Sequence, residues 1–224
     1  MSNTAATEIR WDVLTIGHVS RNRFWGESDD RAYRAPRCTC TLLRTTTHTI
    51  VVDPSLPALE LAHVLDQRSG LSLSAVDTVF LTHFHGDHRV GLDAFPQARW
   101  YMAHTEHAVW DTRQPIGSLE HDLLQRVTAI ETLLTPGIAL LPTPGHTRGH
   151  TSLSFTSGGL QVVVAGDAAM TRDFFQARAV YFNTEDVPAA LTSLDQIAVL
   201  ADIIVPGHDN AFINSKGSGK SLHG

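Results

Sequence analysis

No run of lysine or arginine occurs in this sequence, which carries 17 Lys and Arg against 23 Asp and Glu for a formal net charge of −6. Such a chain offers no basic stripe to track a phosphate backbone, so nucleic acid is not an expected partner. Nowhere do 18 apolar residues follow one another, which argues against a transmembrane helix, and the opening MSNTAATEIRW lacks a basic region followed by an apolar run, which argues against secretion. Cysteine is scarce. Cys38 and Cys40 are the only two, share one face of a strand and are not placed to bridge, so they read as core packing rather than a disulfide framework. These absences point to a cytoplasmic protein in a reducing compartment, with a small-molecule substrate as its partner and homo-oligomerisation left open.

What is present is a chain of 224 residues, 42% of them hydrophobic, enough to close a sizeable core. The pattern reads as one domain over residues 1–213, followed by a polar, Gly/Ser-rich flexible tail at 214–224. Short β-like runs at 11–17, 38–45 and 48–54 open it, and a helix follows at 57–70, with Pro57 at its start and Gly70 at its end. Further strands are expected at 76–82, 98–103, 137–143 and 202–206. A hairpin spans 151–168 with its turn at Ser157-Gly158-Gly159, a helical turn follows residue 103, and helices are expected at 119–134 and 187–201.

The chemistry concentrates in LTHFHGDHRVG, where His83, His85, Asp87 and His88 fall within six positions just after a predicted strand. Zinc and iron take neutral imidazole and ionised carboxylate as ligands, and their sites draw on several loops at one rim of a sheet. In a bend, His83 and His85 can face one metal while Asp87 and His88 turn toward a second. Three further groups stand just beyond predicted strands: His146 in PTPGHTRGH, Asp167 in VVVAGDA and His208 in VPGHDN. Seven ligands suit two metals.

These motifs resemble the metallo-β-lactamase fold superfamily. THFHGDH matches its signature loop, TPGHTRGHTSLSF its next His motif, VVVAGDA its metal-bridging aspartate, VPGH its final His, and TIVVDPSL the early strand whose aspartate, here Asp53, buttresses the site. The resemblance runs from about residue 39 to 212. It implies an α/β fold, an αββα four-layer sandwich of two mixed sheets flanked by helices. It also implies His83, His85 and His146 on one metal, Asp87, His88 and His208 on a second, and Asp167 between them.

Asp167 together with a complete second site resembles the glyoxalase II, lactonase and ribonuclease Z branches rather than the true β-lactamases. The Glu of flavodiiron oxidoreductases is replaced here by His85. The ribonuclease branch's long exosite arm has no counterpart in this length, and single-domain hydrolases such as the metallo-β-lactamase domain-containing proteins of animals are the nearest group. The lactonase tyrosine after the bridging Asp is replaced by Met170, with Tyr181 as a substitute from the following loop.

The expected activity is hydrolysis of a small ester-like substrate, a lactone or thioester first, by a hydroxide shared between two divalent ions. Zinc suits the His-rich set, and iron and manganese accept the same donors. Asp87 is the expected proton shuttle, and Thr82, Thr143 and Asp53 are expected to fix imidazole tautomers. The alternatives are a phosphodiester or β-lactam hydrolase, or a mononuclear-iron oxidoreductase of the persulfide dioxygenase type.

Outside this set, His150 reads as hydrogen-bonded behind the site, and His104 and His107 as surface or helix-cap residues. Residues 17–34, with Arg21, Arg23, Arg34, Phe24 and Trp25, divide between a substrate lid and a packed surface loop. Phe174, Phe175, Tyr181 and Phe182 of 170–182 read as walls of an apolar pocket or as helix packing.

Overall fold

A computed structural model of the chain describes residues 9–215. Two six-stranded mixed sheets organise it. The first runs β1 (Arg10–Thr15), β2 (Cys40–Arg44), β3 (Thr49–Val52), β4 (Thr78–Leu81), β5 (Arg99–Ala103) and β6 (Thr128–Ile130), in that spatial order. The second has β7 (Leu133–Thr135), β8 (Ile138–Pro142), β9 (Thr151–Ser157), β10 (Leu160–Gly166), β11 (Ile203–Pro206) and β12 (Phe212–Ile213), again ordered along the chain. Pairing is antiparallel from β1 to β3 and parallel from β3 to β6, and in the second sheet only β10 and β11 are parallel.

Both faces of each sheet are apolar because both are covered. Successive strand residues point to opposite sides, so in β4 Val79 and Leu81 face one way, into a core with Leu61 and Leu65 of α1 (Ala58–Ser69). Phe80 faces the other way and meets Val162, Val164 and Val205 of the opposite sheet. In β10, Val163 and Ala165 turn outward to Leu194 and Ile197 of α5 (Val187–Leu200). The short α2 (His104–Asp111), α3 (Leu119–Gln125) and α4 (Arg172–Gln176) complete the outer layers, α2 and α3 beside the first sheet and α4 beside the second. The result is the four-layer αββα arrangement expected from the sequence. No helix among the described residues is long and apolar enough to cross a membrane.

Local signals set most element ends. Pro57 precedes α1 and Gly70 closes it at φ 68°, where a side chain would be strained. Gly158 and Gly159, both at positive φ, make the two-residue turn between β9 and β10. The helix expected over 119–134 is a correction: α3 stops at Gln125 and the rest forms β6 and β7. The β-branched Val127, Thr128, Ile130 and Thr132 favour strand there, and β5 offers an open edge for β6 to join in parallel. Asn214, assigned to the tail, is instead buried, its side-chain amide donating to Ala198 O and Ala201 O at 2.8 Å each. The rest of the expected tail, 216–224, lies outside the described residues.

Candidate metal centre

Five strand ends meet at one rim. Asp53 follows β3, Thr82 to His88 follow β4, His146 and His150 lie between β8 and β9, Asp167 follows β10, and His208 follows β11. All seven residues expected as ligands are brought together there. The donor atoms of His83, His85, His146 and Asp167 lie within 4.8 Å of one another, as do those of Asp87, His88 and His208.

The distances sort these donors into two sets around one carboxylate. His85 Nδ1 faces His83 Nε2 at 2.9 Å and His146 Nε2 at 3.0 Å. Asp167 Oδ2 faces His146 Nε2 at 3.1 Å and His83 Nε2 at 3.8 Å. Its other oxygen, Oδ1, faces His88 Nε2 at 3.2 Å and His208 Nε2 at 3.3 Å, and His208 Nε2 lies 3.5 Å from Asp87 Oδ2. Bonds of about 2.0–2.1 Å in a tetrahedral shell put neighbouring ligand atoms about 3.3 Å apart, the range seen here. His88 Nε2 and Asp167 Oδ1 are buried and make no hydrogen bond. Unpaired buried polar atoms are costly, and converging nitrogens and carboxylate oxygens without protons to share are what a divalent cation satisfies. The residues present therefore fit a metal.

Hydrogen bonds behind the site aim the rings. Thr82 Oγ1 donates to Asp53 Oδ2 at 2.8 Å, so it accepts from His83 Nδ1–H at 3.1 Å and leaves Nε2 bare. His88 Nδ1–H donates to Asp53 Oδ2 at 2.9 Å with the same effect. His208 Nδ1–H donates to Arg37 O at 2.8 Å and His18 O at 3.1 Å, a support from the early loop that no sequence signal announced. Thr143, expected to steady a ligand, instead holds His150 Nδ1 at 2.9 Å, and His150 packs behind the site as expected. Close backbone approach completes the cradle. A Cβ on Gly207 would fall 2.0 Å from Asp167 Oδ1, and Asp53 keeps a positive φ of 52° to turn its carboxylate inward.

Burial drives His83 and His85 below the ordinary imidazole range and takes His146 to about 4 and His150 to about 3. These rings are neutral at pH 7, the form that coordinates. His88 and His208 shift the other way, raised against their burial by the negative groups beside them. In that charged form they outweigh the burial of Asp167 and hold its carboxyl well below the usual carboxylate range, and a cation would take the place of their protons. Cys38 and Cys40 are free and buried. Cys38 lies beside Asp53 and His88, yet burial pushes its thiol up to about 12, so it stays protonated.

Sequence reasoning missed Glu106, the one buried residue of α2. Its Oε1 accepts from Phe84 N at 3.2 Å and Trp110 Nε1 at 2.6 Å, and its Oε2 from Thr147 Oγ1 at 2.7 Å and Gly149 N at 3.2 Å. One carboxylate thus ties the loop of His83 and His85 to the loop of His146, while Trp110 also meets the edge of His85 with ring centroids 5.7 Å apart. The only signal was an acid four residues before Trp110 on an inward-facing helical stripe. His104 is exposed at the start of α2 and His107 is half-buried, as expected.

A cavity of about 460 Å³ opens over His85, Asp87, Asp167 and His208, within the range of small-molecule sites. The early loop borders it through Val19, Ser20 and Arg21, and the segment after α4 through Tyr181, Phe182 and Asn183. Phe24 and Trp25 turn away instead: Phe24 packs edge-on against Phe174 at 4.9 Å, and Trp25 Nε1 donates to Asp173. Phe174 joins the buried cluster of Val19, Met170 and Tyr181, and Phe175 packs beneath α5, where it lines a separate pocket with Leu194 and Phe212, so neither walls the cavity over the donors. The Tyr181 hydroxyl is already engaged by Ser20 Oγ at 3.0 Å, Arg21 N at 3.3 Å and Arg21 O at 3.1 Å.

Seven imidazole and carboxylate groups delivered by four strand ends to one rim define a class, the αββα proteins with a metal-binding rim. The chain belongs to the metallo-beta-lactamase superfamily, whose family model matches residues 33–208. It is 32% identical over 149 residues to human metallo-beta-lactamase domain-containing protein 1, an alignment covering 64% of this chain and 51% of that protein. It is 30% identical over 139 residues to an N-acyl homoserine lactonase of Bacillus thuringiensis, covering 58% and 55%. The chain spans about half the length of the curated relatives it matches. Among solved structures, a probable metal-dependent hydrolase from Staphylococcus aureus superposes with a TM-score of 0.73 over 97% of this chain and 96% of that one, at 17% identity.

Proposed function

We propose that the chain is a dinuclear metal-dependent hydrolase of a small ester-like substrate, a lactone or thioester first. The observation that carries this reading is the Asp167 carboxylate, whose Oδ2 faces His146 and His83 while its Oδ1 faces His88 and His208. His83, His85, His146 and Asp167 Oδ2 would hold one cation, and Asp87, His88, His208 and Asp167 Oδ1 the other. Zinc is the metal that the His-rich donors favour. A divalent pair supplies Lewis acidity for the substrate oxygen and brings a water toward a pKa of about 7.

The chain's own residues do the rest. Asp87 borders the cavity and is the least buried of the three carboxylates at the site, its side chain 22% exposed beside 4% for Asp167. It is placed to take the proton of the attacking water and return it to the leaving group. Val19, Met170 and Phe182 give the cavity apolar surface against which an acyl chain can lie. The lactonase relative supports a lactone as first substrate class.

The test is metal content by elemental mass spectrometry together with a panel of lactones, thioesters, β-lactams and phosphodiesters on the same sample. Two equivalents with lactone or thioester cleavage are expected, and D87A should abolish turnover while keeping the fold. One equivalent of iron without hydrolysis would overturn the reading.

A further inference from the structure

The permanent charge at the mouth of the cavity is unaccounted for by the fold. Arg21 borders the cavity, and its guanidinium lies over the Phe182 ring with Cζ 4.3 Å from the centroid. The other arginines near it have partners or other surroundings. Arg34 is paired with Glu27 and donates to Val19 O, and Arg23 lies over Phe24 and Phe174. Arg21 pairs with no carboxylate among the described residues. Its Nη1 donates to the backbone carbonyl of Asp29, and its Nε is buried without a hydrogen-bond partner.

We propose that Arg21 is an anion-binding subsite, and that the preferred substrate carries a carboxylate some distance from its scissile ester or thioester carbonyl. This rests on the hydrolytic reading of the same cavity. A guanidinium presents its donors in a planar fork that matches the two oxygens of a carboxylate. Nε is enclosed and one Nη1 hydrogen is given to Asp29 O, so Nη2 and the second Nη1 hydrogen form the end of the fork left for a ligand. Stacking on Phe182 holds the plane, and the Tyr181 hydroxyl, bonded to both the N–H and the carbonyl of Arg21, holds the backbone that carries it. The acids of the cavity, Asp87 and Asp167, belong to the proposed cation sites and leave Arg21 uncompensated. Val19, Met170 and Phe182 accommodate the apolar span between the two polar ends of such a substrate. A single cation flanked by apolar surface matches a single remote carboxylate.

Two matched pairs of thioesters test this on the metal-loaded protein. In one pair the acyl chain ends in a carboxylate or in the isosteric carboxamide, and in the other the thiol carries these two ends. For the wild type, kcat/KM in one pair should favour the carboxylate by roughly tenfold to a hundredfold. The R21A ratio should collapse toward one, and the R21K ratio should fall between, since lysine keeps the charge but loses the fork. Ratios near one in both pairs, or an unchanged ratio in R21A, overturn the subsite while leaving the hydrolase intact. If no thioester is cleaved, the thioester reading fails instead, and calorimetric binding of adipate against adipamide decides the subsite. At least tenfold weaker adipate binding by R21A than by wild type supports it, and equal binding overturns it.

Discussion

Replacing Glu106 probes how the two histidine loops are held at their spacing. Its carboxylate is fully buried and accepts four hydrogen bonds, two on each oxygen. In Glu106→Ala a water filling the vacated space can accept at most two of the four donors. Two stay unpaired at about 1–3 kcal/mol each, so the cost is about 2–6 kcal/mol, a large part of a total stability of about 5–15 kcal/mol. Glu106→Gln keeps one accepting oxygen. Turned so that its NH2 meets Thr147, whose hydroxyl can rotate to accept, the amide orphans only Gly149 N–H and costs about 1–3 kcal/mol. The expected order is therefore wild type, Gln, Ala. Denaturant midpoints of the metal-free proteins at constant m value measure it, and chelator competition should show metal affinity lowered about 10–100-fold in both variants. An Ala variant within about 0.5 kcal/mol of wild type, or a Gln variant as damaged as Ala, would refute the clamp.

Gly207→Ala places a Cβ 2.0 Å from Asp167 Oδ1. It should displace the carboxylate between the two donor sets and lower metal stoichiometry by elemental analysis, and full loading would show that the backbone yields. Asp53→Asn turns an amide N–H toward Thr82 Oγ1 and His88 Nδ1, or toward the Thr82 backbone N–H that Oδ1 now accepts at 2.9 Å. Competition titration should find metal affinity about 10–100-fold weaker; unchanged affinity would mean that His88 needs no buttress. Away from the site, burial pushes the Asp77 carboxyl up, but hydrogen bonds from Thr78 Oγ1 at 2.6 Å, Thr49 N at 2.8 Å and His48 at 2.9 Å outweigh it and lower its pKa. A lowered folded value means stability that is present above the unfolded value of about 3.9 and lost as pH falls through the folded one. The stability margin of wild type over Asp77→Asn should therefore be full at pH 7 and vanish in acid, and a margin independent of pH in denaturation series would exclude this linkage.

The convergence of the seven candidate donors was legible because each follows an apolar strand run, where chain direction alone delivers it to a rim. VDTVFLT before His83 and LQVVVAG before Asp167 are such runs. The outer helices α1 and α5 were legible for the same local reason, carrying Pro57 and Gly70 or an apolar stripe. Residues 126–135 were not, since their β-branched side chains become strand once β5 offers Thr128 to Ile130 an edge to pair with.

Residue type and short-range spacing were thus enough to pick out seven candidate donors after apolar strand runs, and the αββα layers followed from the family resemblance that their motifs carry. Only the tertiary structure decided which oxygen of Asp167 faces each set of donors, that Glu106 ties together loops some 60 residues apart by numbering, and that Arg21 meets Phe182 at the cavity. A hydrogen bond or a stacking contact is a relation between positions distant in sequence, and its energy exists only once folding has brought those atoms within a few ångströms.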